Sequence, residues 1–357
     1  MSTENQRVSR ITPLQSPDEI KQHVASNQQA TQQVIQGRQQ IRRILQREDP
    51  RTLVIVGPCS IHDPAAAIDY AQRLKKLADE LSDSLCIVMR AYFEKPRTTV
   101  GWKGFINDPD LDNRCDINSG LLQARHLLTE INALGLPVAT EFLDTIIPQY
   151  IGDLISWGAI GARTCESQNH RNLASGLSMP IGIKNSTTGN TQAAIDGIKA
   201  ANHSHSFLGV NEHGMACIVH TKGNIDSHII LRGGSRTGPN YDHTAVQEVS
   251  QQLQQSDLAT NIMIDCSHGN SEKDHRKQQQ VLNNVAAQIT AGEHNIIGVM
   301  LESFIAAGSQ PIAELEQLEY GKSVTDACID WPTTVELLTS LAQTKRQTLQ
   351  QQVKTES

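Results

Sequence analysis

The sequence predicts an α/β fold, a closed (β/α)8 barrel with an N-terminal helical arm and an inserted β-hairpin. Three observations carry this expectation. From Arg51 onward, strand-like apolar runs alternate with helix-like amphipathic stretches, the pattern of a parallel sheet with covering helices. Eight apolar runs close, within the run or just past it, on a residue that core packing does not select: Cys59, Arg90, Glu141, Arg163, Lys184, Arg232, His268 and Glu302. An open doubly wound sheet concentrates such residues at one switch point, whereas a barrel turns every strand's C-terminal end toward a single mouth. Finally, of nine or ten strand candidates, two (207–210 and 216–221) are separated only by Asn-Glu-His-Gly-Met. A loop that short holds no crossover helix and reads as an antiparallel hairpin. Setting it aside leaves eight β-then-α units.

The elements follow in order. Residues 1–50 read as a regulatory or oligomerisation arm, and 51–357 as the barrel with its hairpin at about 207–221. In the arm, Ser16-Pro17-Asp18-Glu19 is a capping box with Pro at the first helical position. A second helix over 29–46 carries Val34, Ile41, Ile44 and Leu45 on one side. After the first strand, Asp63 caps and Pro64 opens a helix with Ala67, Ala71, Leu74, Leu77, Ala78 and Leu81 at helical spacing. A loop over 93–118 leads to a helix bearing Leu121, Leu122, Leu127, Leu128, Ile131 and Leu134, with Gly135 just past its end. Further helices are expected at 148–157, 166–177, 190–201, 243–255, 277–291 and 333–350.

Bulk composition narrows the function classes. A net charge of −7 gives no electrostatic reason to expect nucleic-acid binding. MSTENQRVSR has no apolar signal core, and no run approaches a membrane span. Seven cysteines, an odd number without a CxxC pair, fit a reducing compartment, so a cytoplasmic protein is expected.

Cys59, His268, Glu302 and Asp326 supply one thiolate, one imidazole and two carboxylates. Singly, a cysteine or a histidine reads as ordinary core. Together, this mixed set suits a divalent first-row transition metal, whose open coordination positions allow Lewis-acid chemistry. Arg90, Lys95, Arg97, Arg163, Lys184 and Arg232 bring six cations toward the same face. Solvation explains most surface Lys and Arg, but is a weak account of Arg90, Arg163, Lys184 and Arg232, which end apolar runs. Guanidinium groups bind phosphate and carboxylate bidentately, so at least one multiply charged anion is expected, and six cations suit two. Glu141 among them could balance charge, orient an arginine or handle a proton. The Gly233-Gly234 pair could bring backbone N–H groups to an anion.

GPCSIHDP (57–64), KPRTTVGWKG (95–104), GARTCESQ (161–168), ILRGG (230–234), DCSHGNS (265–271), GVMLES (298–303) and YGKSVTDACI (320–329) resemble the type I DAHP synthases. The resemblance runs from about 50 to 340. It implies a TIM barrel condensing phosphoenolpyruvate with erythrose 4-phosphate, the opening step of the shikimate pathway. It implies one divalent metal ion per subunit (Mn, Fe, Co or Zn) on Cys59, His268, Glu302 and Asp326. Arg90, Lys95, Glu141, Ala162, Arg163, Lys184 and Arg232 match positions around phosphoenolpyruvate, and Arg97 and Thr98 those around the erythrose phosphate. Lys95, Glu141 and His268 are the catalytic candidates. Regulated members build a feedback site from arm and hairpin. Gln149, Ser178, Phe207 and Gly209 match it here, with Pro148, Gly176, Leu177 and Ile218 secondary. Glycine at 209, where phenylalanine-sensitive members carry serine, implies tyrosine as effector. A homodimer or homotetramer is implied. The alternatives are a related synthase with another sugar acceptor and a catalytically inactive amino-acid sensor.

Overall fold

A computed structural model describes residues 3–356. Met1, Ser2 and Ser357, which the bounds 1–50 and 51–357 take in, lie outside the described residues. Helices α1 (Pro17–His23) and α2 (Gln28–Leu45) come first. The barrel opens with β1 (Thr52–Gly57), α3 (Pro64–Glu80), β2 (Leu85–Arg90) and α4 (Ile117–Ala133). It continues with β3 (Val138–Glu141), α5 (Ile147–Ile151), β4 (Trp157–Ile160), α6 (Gln168–Ala174), β5 (Ile181–Lys184) and α7 (Gln192–Ala201). The antiparallel hairpin β6 (Ser206–Val210) and β7 (Ala216–His220) intervenes. The barrel resumes with β8 (Ser227–Leu231), α8 (His243–Gln254), β9 (Ile262–Asp265), α9 (Gln278–Thr290), β10 (Ile296–Glu302) and α10 (Trp331–Glu356).

The sheet closes because β1 pairs in parallel with both β2 and β10, and β5 passes directly to β8. Every residue of these eight strands is buried. That follows from a sheet with helices outside and packed side chains within. The Ser16 capping box and the Asp63 cap form as expected, and Gly135 takes φ +84° after α4.

Two expectations change. The helix expected over 148–157 stops at Ile151, becomes a short 3-10 turn and gives way to β4 at Trp157. Carbonyls that a longer helix would bond internally are taken by long side chains instead. Arg125 Nη1 donates to Tyr150 O (2.5 Å), Arg38 to Gly152 O (2.7 Å) and Ile155 O (3.0 Å), and Asn132 to Leu154 O (2.9 Å). The second difference concerns α2. Its Ile41, Ile44 and Leu45 join the cluster that fills the barrel interior with Leu53, Ile55, Val88, Trp157 and Met263. The helix is therefore part of the core, closing the barrel end opposite the strand C-termini.

Candidate active site

The C-terminal strand ends surround a cavity of about 340 Å³. Arg90, Glu141, Lys184 and Glu302 are the last residues of β2, β3, β5 and β10. Arg232 follows β8, while Cys59, Arg163 and His268 lie two or three residues beyond their strands. Lys95, Arg97, Thr98, Ala162 and Asp326 complete the sequence-expected set around the cavity, with Cys59 buried beneath it. Arg163 differs from expectation in being exposed, because it rides the turn after β4 rather than the strand. There its Nη2 donates to Thr98 Oγ1 (3.3 Å).

Ligand atoms of Cys59, Glu302 and Asp326 lie within 4.8 Å of one another. His268 adjoins this cluster, its Nε2 3.7 Å from Glu302 Oε1. Burial first, then Glu302, pushes the Cys59 thiol up, against the opposing pull of Lys95. A thiol and two carboxylates packed this closely repel one another when ionised, and a divalent cation removes that cost. The donor set thus fits a first-row transition metal.

Asp265, the last residue of β9, is the group that sequence reading missed. It is fully buried, with Oδ2 2.9 Å from His268 Nδ1 and 3.0 Å from Lys184 Nζ, while Oδ1 accepts from Ser267 Oγ (2.6 Å). Burial opposes its charge, but His268 and Lys184 outweigh burial and hold the carboxyl well below the usual range. A carboxylate on Nδ1 leaves Nε2 as the lone pair facing the donor cluster, the usual arrangement behind a metal-binding imidazole. His268 itself sits at φ +57°, an uncommon conformation for a non-glycine residue. Lys273 N donates to its carbonyl (2.7 Å).

The cations divide into two kinds. Arg90 is 1% exposed and committed. Nη2 reaches Glu302 Oε1 (2.9 Å) and Cys59 O (3.1 Å), Nε reaches Pro58 O, and the guanidinium lies 3.7 Å over the Tyr92 ring. Lys184 is committed to Asp265, and Lys95 Nζ to Cys59 Sγ (3.1 Å) and O (3.2 Å). Arg97, Arg163 and Arg232 have no ion pair among the described residues. Neither does Lys273, a lining residue not anticipated. Ser267, Ser271, Thr187 and His275 also line the cavity unforeseen. The Gly233-Gly234 expectation fails. Gly233 N donates to Asn240 Oδ1 (2.7 Å) and Gly234 N to Gly238 O (2.9 Å), so neither is offered to an anion. The pair instead permits close packing: a Cβ on Gly233 would lie 2.4 Å from Gly269 C. Gly161 serves Glu141 in the same way, since a Cβ there would meet Glu141 Oε1 at 2.1 Å.

A second cavity of about 320 Å³ lies between the arm, α5, the end of α6 and the hairpin. Gln149, Ser178, Phe207 and Gly209 all line it, as do Pro148, Gly176 and Leu177. Ile218 does not. Alternation along β7 turns it outward, 65% exposed, and turns Val219 inward. Lys21, Arg38 and Asp153 bring charge to this cavity, unsignalled in the sequence because they come from separate elements.

The comparisons agree with this geometry. The model of the DAHP synthetase I family matches residues 22–339. The chain is 54% identical over 336 residues to the Phe-sensitive phospho-2-dehydro-3-deoxyheptonate aldolase of Escherichia coli strain K12, covering 94% of this chain and 95% of that one. It is 52% identical over 343 residues to the tyrosine-inhibited enzyme of Candida albicans, covering 94% and 92%. The solved structure of a phospho-2-dehydro-3-deoxyheptonate aldolase from Francisella tularensis superposes with TM-score 0.93 at 49% identity, covering 95% of this chain and 98% of that one. With the closed barrel and the strand-end cluster, these matches make the chain a member of the DAHP synthetase I family.

Proposed function

We propose that the barrel mouth condenses phosphoenolpyruvate with D-erythrose 4-phosphate, giving 3-deoxy-D-arabino-heptulosonate 7-phosphate and inorganic phosphate. The observation that carries this reading is the meeting of uncommitted cations and a thiol–carboxylate–imidazole set in one cavity. Arg163, Lys184 and Arg232, with Ala162, would hold phosphoenolpyruvate, and Arg97 and Thr98 the phosphate of the sugar. Arg90, whose Nη2 donates to Glu302 Oε1 (2.9 Å), orients that carboxyl group. C3 of phosphoenolpyruvate bonds to the aldehyde carbon, whose oxygen takes a proton. Water then adds at C2, losing a proton, and phosphate leaves as the C2–O bond breaks. Lys95 Nζ holds a proton beside Cys59 and is assigned the donor role. Glu141 is 7% exposed, its side chain without a hydrogen-bond partner among the described residues, and is assigned the acceptor role. A divalent ion held by Cys59, His268, Glu302 and Asp326 would serve as Lewis acid toward the aldehyde oxygen. The test is phosphate release. It should require both substrates, vanish after chelation and return with Mn, Fe, Co or Zn, whichever restores it best naming the metal. Full turnover in stripped protein overturns the metal role, and a preference for arabinose 5-phosphate overturns the acceptor.

The second cavity is read as a feedback site for an aromatic amino acid, tyrosine rather than phenylalanine or tryptophan. Phe207, Val219, Leu173 and Met179 offer an apolar lining, while Lys21, Arg38 and Asp153 suit a zwitterion. A Cβ at Gly209 would meet Val219 Cγ2 at 2.7 Å, so glycine leaves room that serine would take. A homodimer or homotetramer through arm and hairpin is supported by Leu208 and Ile218, paired across the hairpin's outer face and exposed. Sedimentation measures that state. Seven free thiols support a cytoplasmic location. Among the described residues no helix is long and apolar enough to cross a membrane.

A further inference from the structure

A third cavity, of about 290 Å³ and so close in size to the other two, lies at the barrel end that α2 closes. The end of α2, the starts of β1 and β10 and the second half of α10 bound it. Chemistry in a β/α barrel gathers at the opposite mouth, and the proposed condensation uses none of the residues here.

Arg47, on the wall of this cavity, follows the C-cap Gln46 of α2 and sits at φ +64°. Around it Glu48 N donates to Arg43 O (2.9 Å) and Arg47 N to Ile44 O (3.1 Å). This is a left-handed helix stop, whose turning residue is usually glycine. Glycine takes that conformation without strain. An arginine held there is an outlier, and outliers of this kind cluster at ligand clamps and other functional sites. Its Nη2 donates to Thr260 O (3.2 Å), also on the wall, which fixes the guanidinium beside the cavity.

The charges around the cavity do not balance. Asp49 accepts from Arg51 on both oxygens (3.0 and 2.6 Å), so that pair cancels. Glu293 is occupied by Gln247 Nε2 (2.5 Å) and Asn295 N (2.8 Å). Arg47 and Lys345 have no ion pair among the described residues, and the Lys345 amine has no hydrogen bond among them. Two cations therefore face one carboxylate that is already bonded elsewhere. Lys345 is half-buried on α10. Burial, then Arg47, pulls its amine below the ordinary lysine value, against the attraction of Asp49. Neighbouring like charges with free N–H donors repel one another until an anion joins them.

We propose that this far-end cavity binds a phosphate dianion, free or as a small monoester, with Arg47 and Lys345 as its ligands. The guanidinium fork bonds two phosphate oxygens, and the ammonium supplies a compact charge beside them. Arg47 ends the arm and Lys345 belongs to the last helix, so the bound anion ties α2 to α10 across the barrel floor.

The test compares thermal midpoints of the full-length protein with those of Arg47→Gly and Lys345→Met. Each is measured in phosphate-free buffer, then with about 10 mM inorganic phosphate, glycerol 3-phosphate or sodium chloride at matched ionic strength. The mouth also takes phosphate, but neither variant touches it, so its share of the shift is common to all three proteins. In phosphate-free buffer both variants should melt no lower than wild type. One relieves the left-handed arginine, and each removes a repelling charge. With phosphate, wild type should rise about 2 °C further than either variant, the shift that a site of about 1 mM affinity gives a chain of this length. The larger of the two phosphate shifts identifies the occupant as free ion or ester. Equal phosphate shifts in all three proteins overturn the site. A chloride shift as large as the phosphate one also overturns it, since screening alone would then account for the gain. Variants that melt well below wild type without phosphate would mean that the two cations already have partners, and would sink the proposal as well.

Discussion

At the barrel mouth, charged side chains come from strand ends or the turns just beyond them and meet over a buried floor of Cys59, Asp265 and Arg90. Beside the hairpin, the second cavity is assembled from helix ends, a turn, small residues and two long cations of the arm. The first cavity is defined by electrostatics. Arg90–Glu302 and Lys184–Asp265 are buried pairs whose partners leave no charge uncompensated. The second is defined by shape: a Cβ at Gly209 would meet Val219 Cγ2 at 2.7 Å. The lesson is that a charged site tolerates little substitution, whereas a shape-defined site can be retuned by a single atom.

The sharpest way to break this contrast is Cys59→Ala. It removes one donor from a preformed barrel and should lower turnover about a thousandfold, with circular dichroism unchanged. Wild-type metal content in that variant would contradict the assignment. Arg90→Met should come next, leaving Glu302 buried without its partner. Chelator-treated protein should lose about 3–5 kcal/mol of stability in denaturant titration. A loss below 1 kcal/mol would mean that the pair does not hold the mouth together.

A third probe acts on the scaffold that both cavities share. His228 is buried in β8, accepting from Trp157 Nε1 (3.2 Å), and burial lowers its pKa from 6.5 to about 4. The unfolded chain binds this proton at higher pH than the folded one. The neutral imidazole's contribution is therefore complete above pH 6.5 and is lost as pH falls through 4. Over that window the change is about 3 kcal/mol. Denaturant midpoints at pH 7 and 4.5 should show it, and His228→Gln should flatten the slope. A matching slope in the variant would assign the acid sensitivity elsewhere. The smallest expected effect is the most selective. Gly209→Ser should weaken tyrosine inhibition several-fold, about 1 kcal/mol, with turnover retained. An identical inhibition curve would remove the hairpin from the effector site.

Much of the mouth was legible because burying a charge is costly, so a charge at the end of an apolar run stands out in one dimension. That logic located Arg90, Glu141, Lys184 and Glu302 on their strand ends. It passed over Asp265, although that residue ends the run 262–265, because its role as partner of His268 Nδ1 exists only in the folded turn. It misjudged only the burial of Arg163, which a turn after β4 leaves exposed while it still lines the cavity. In the hairpin the choice between Ile218 and Val219 needed strand parity, and parity is set by the pairing of Phe207 with Val219.

By itself the sequence determined the barrel, its hairpin insertion and the inventory of charges at the mouth. Alternating hydrophobicity and the cost of burying charge are local properties, readable residue by residue. Tertiary structure alone decided which cations are spent on internal partners and which face the cavity. It also decided that α2 plugs the barrel's far end. These depend on contacts such as Arg42–Asp226 and Arg125–Val24, between residues more than a hundred positions apart. No local pattern encodes such a meeting, because it exists only once the chain has closed on itself.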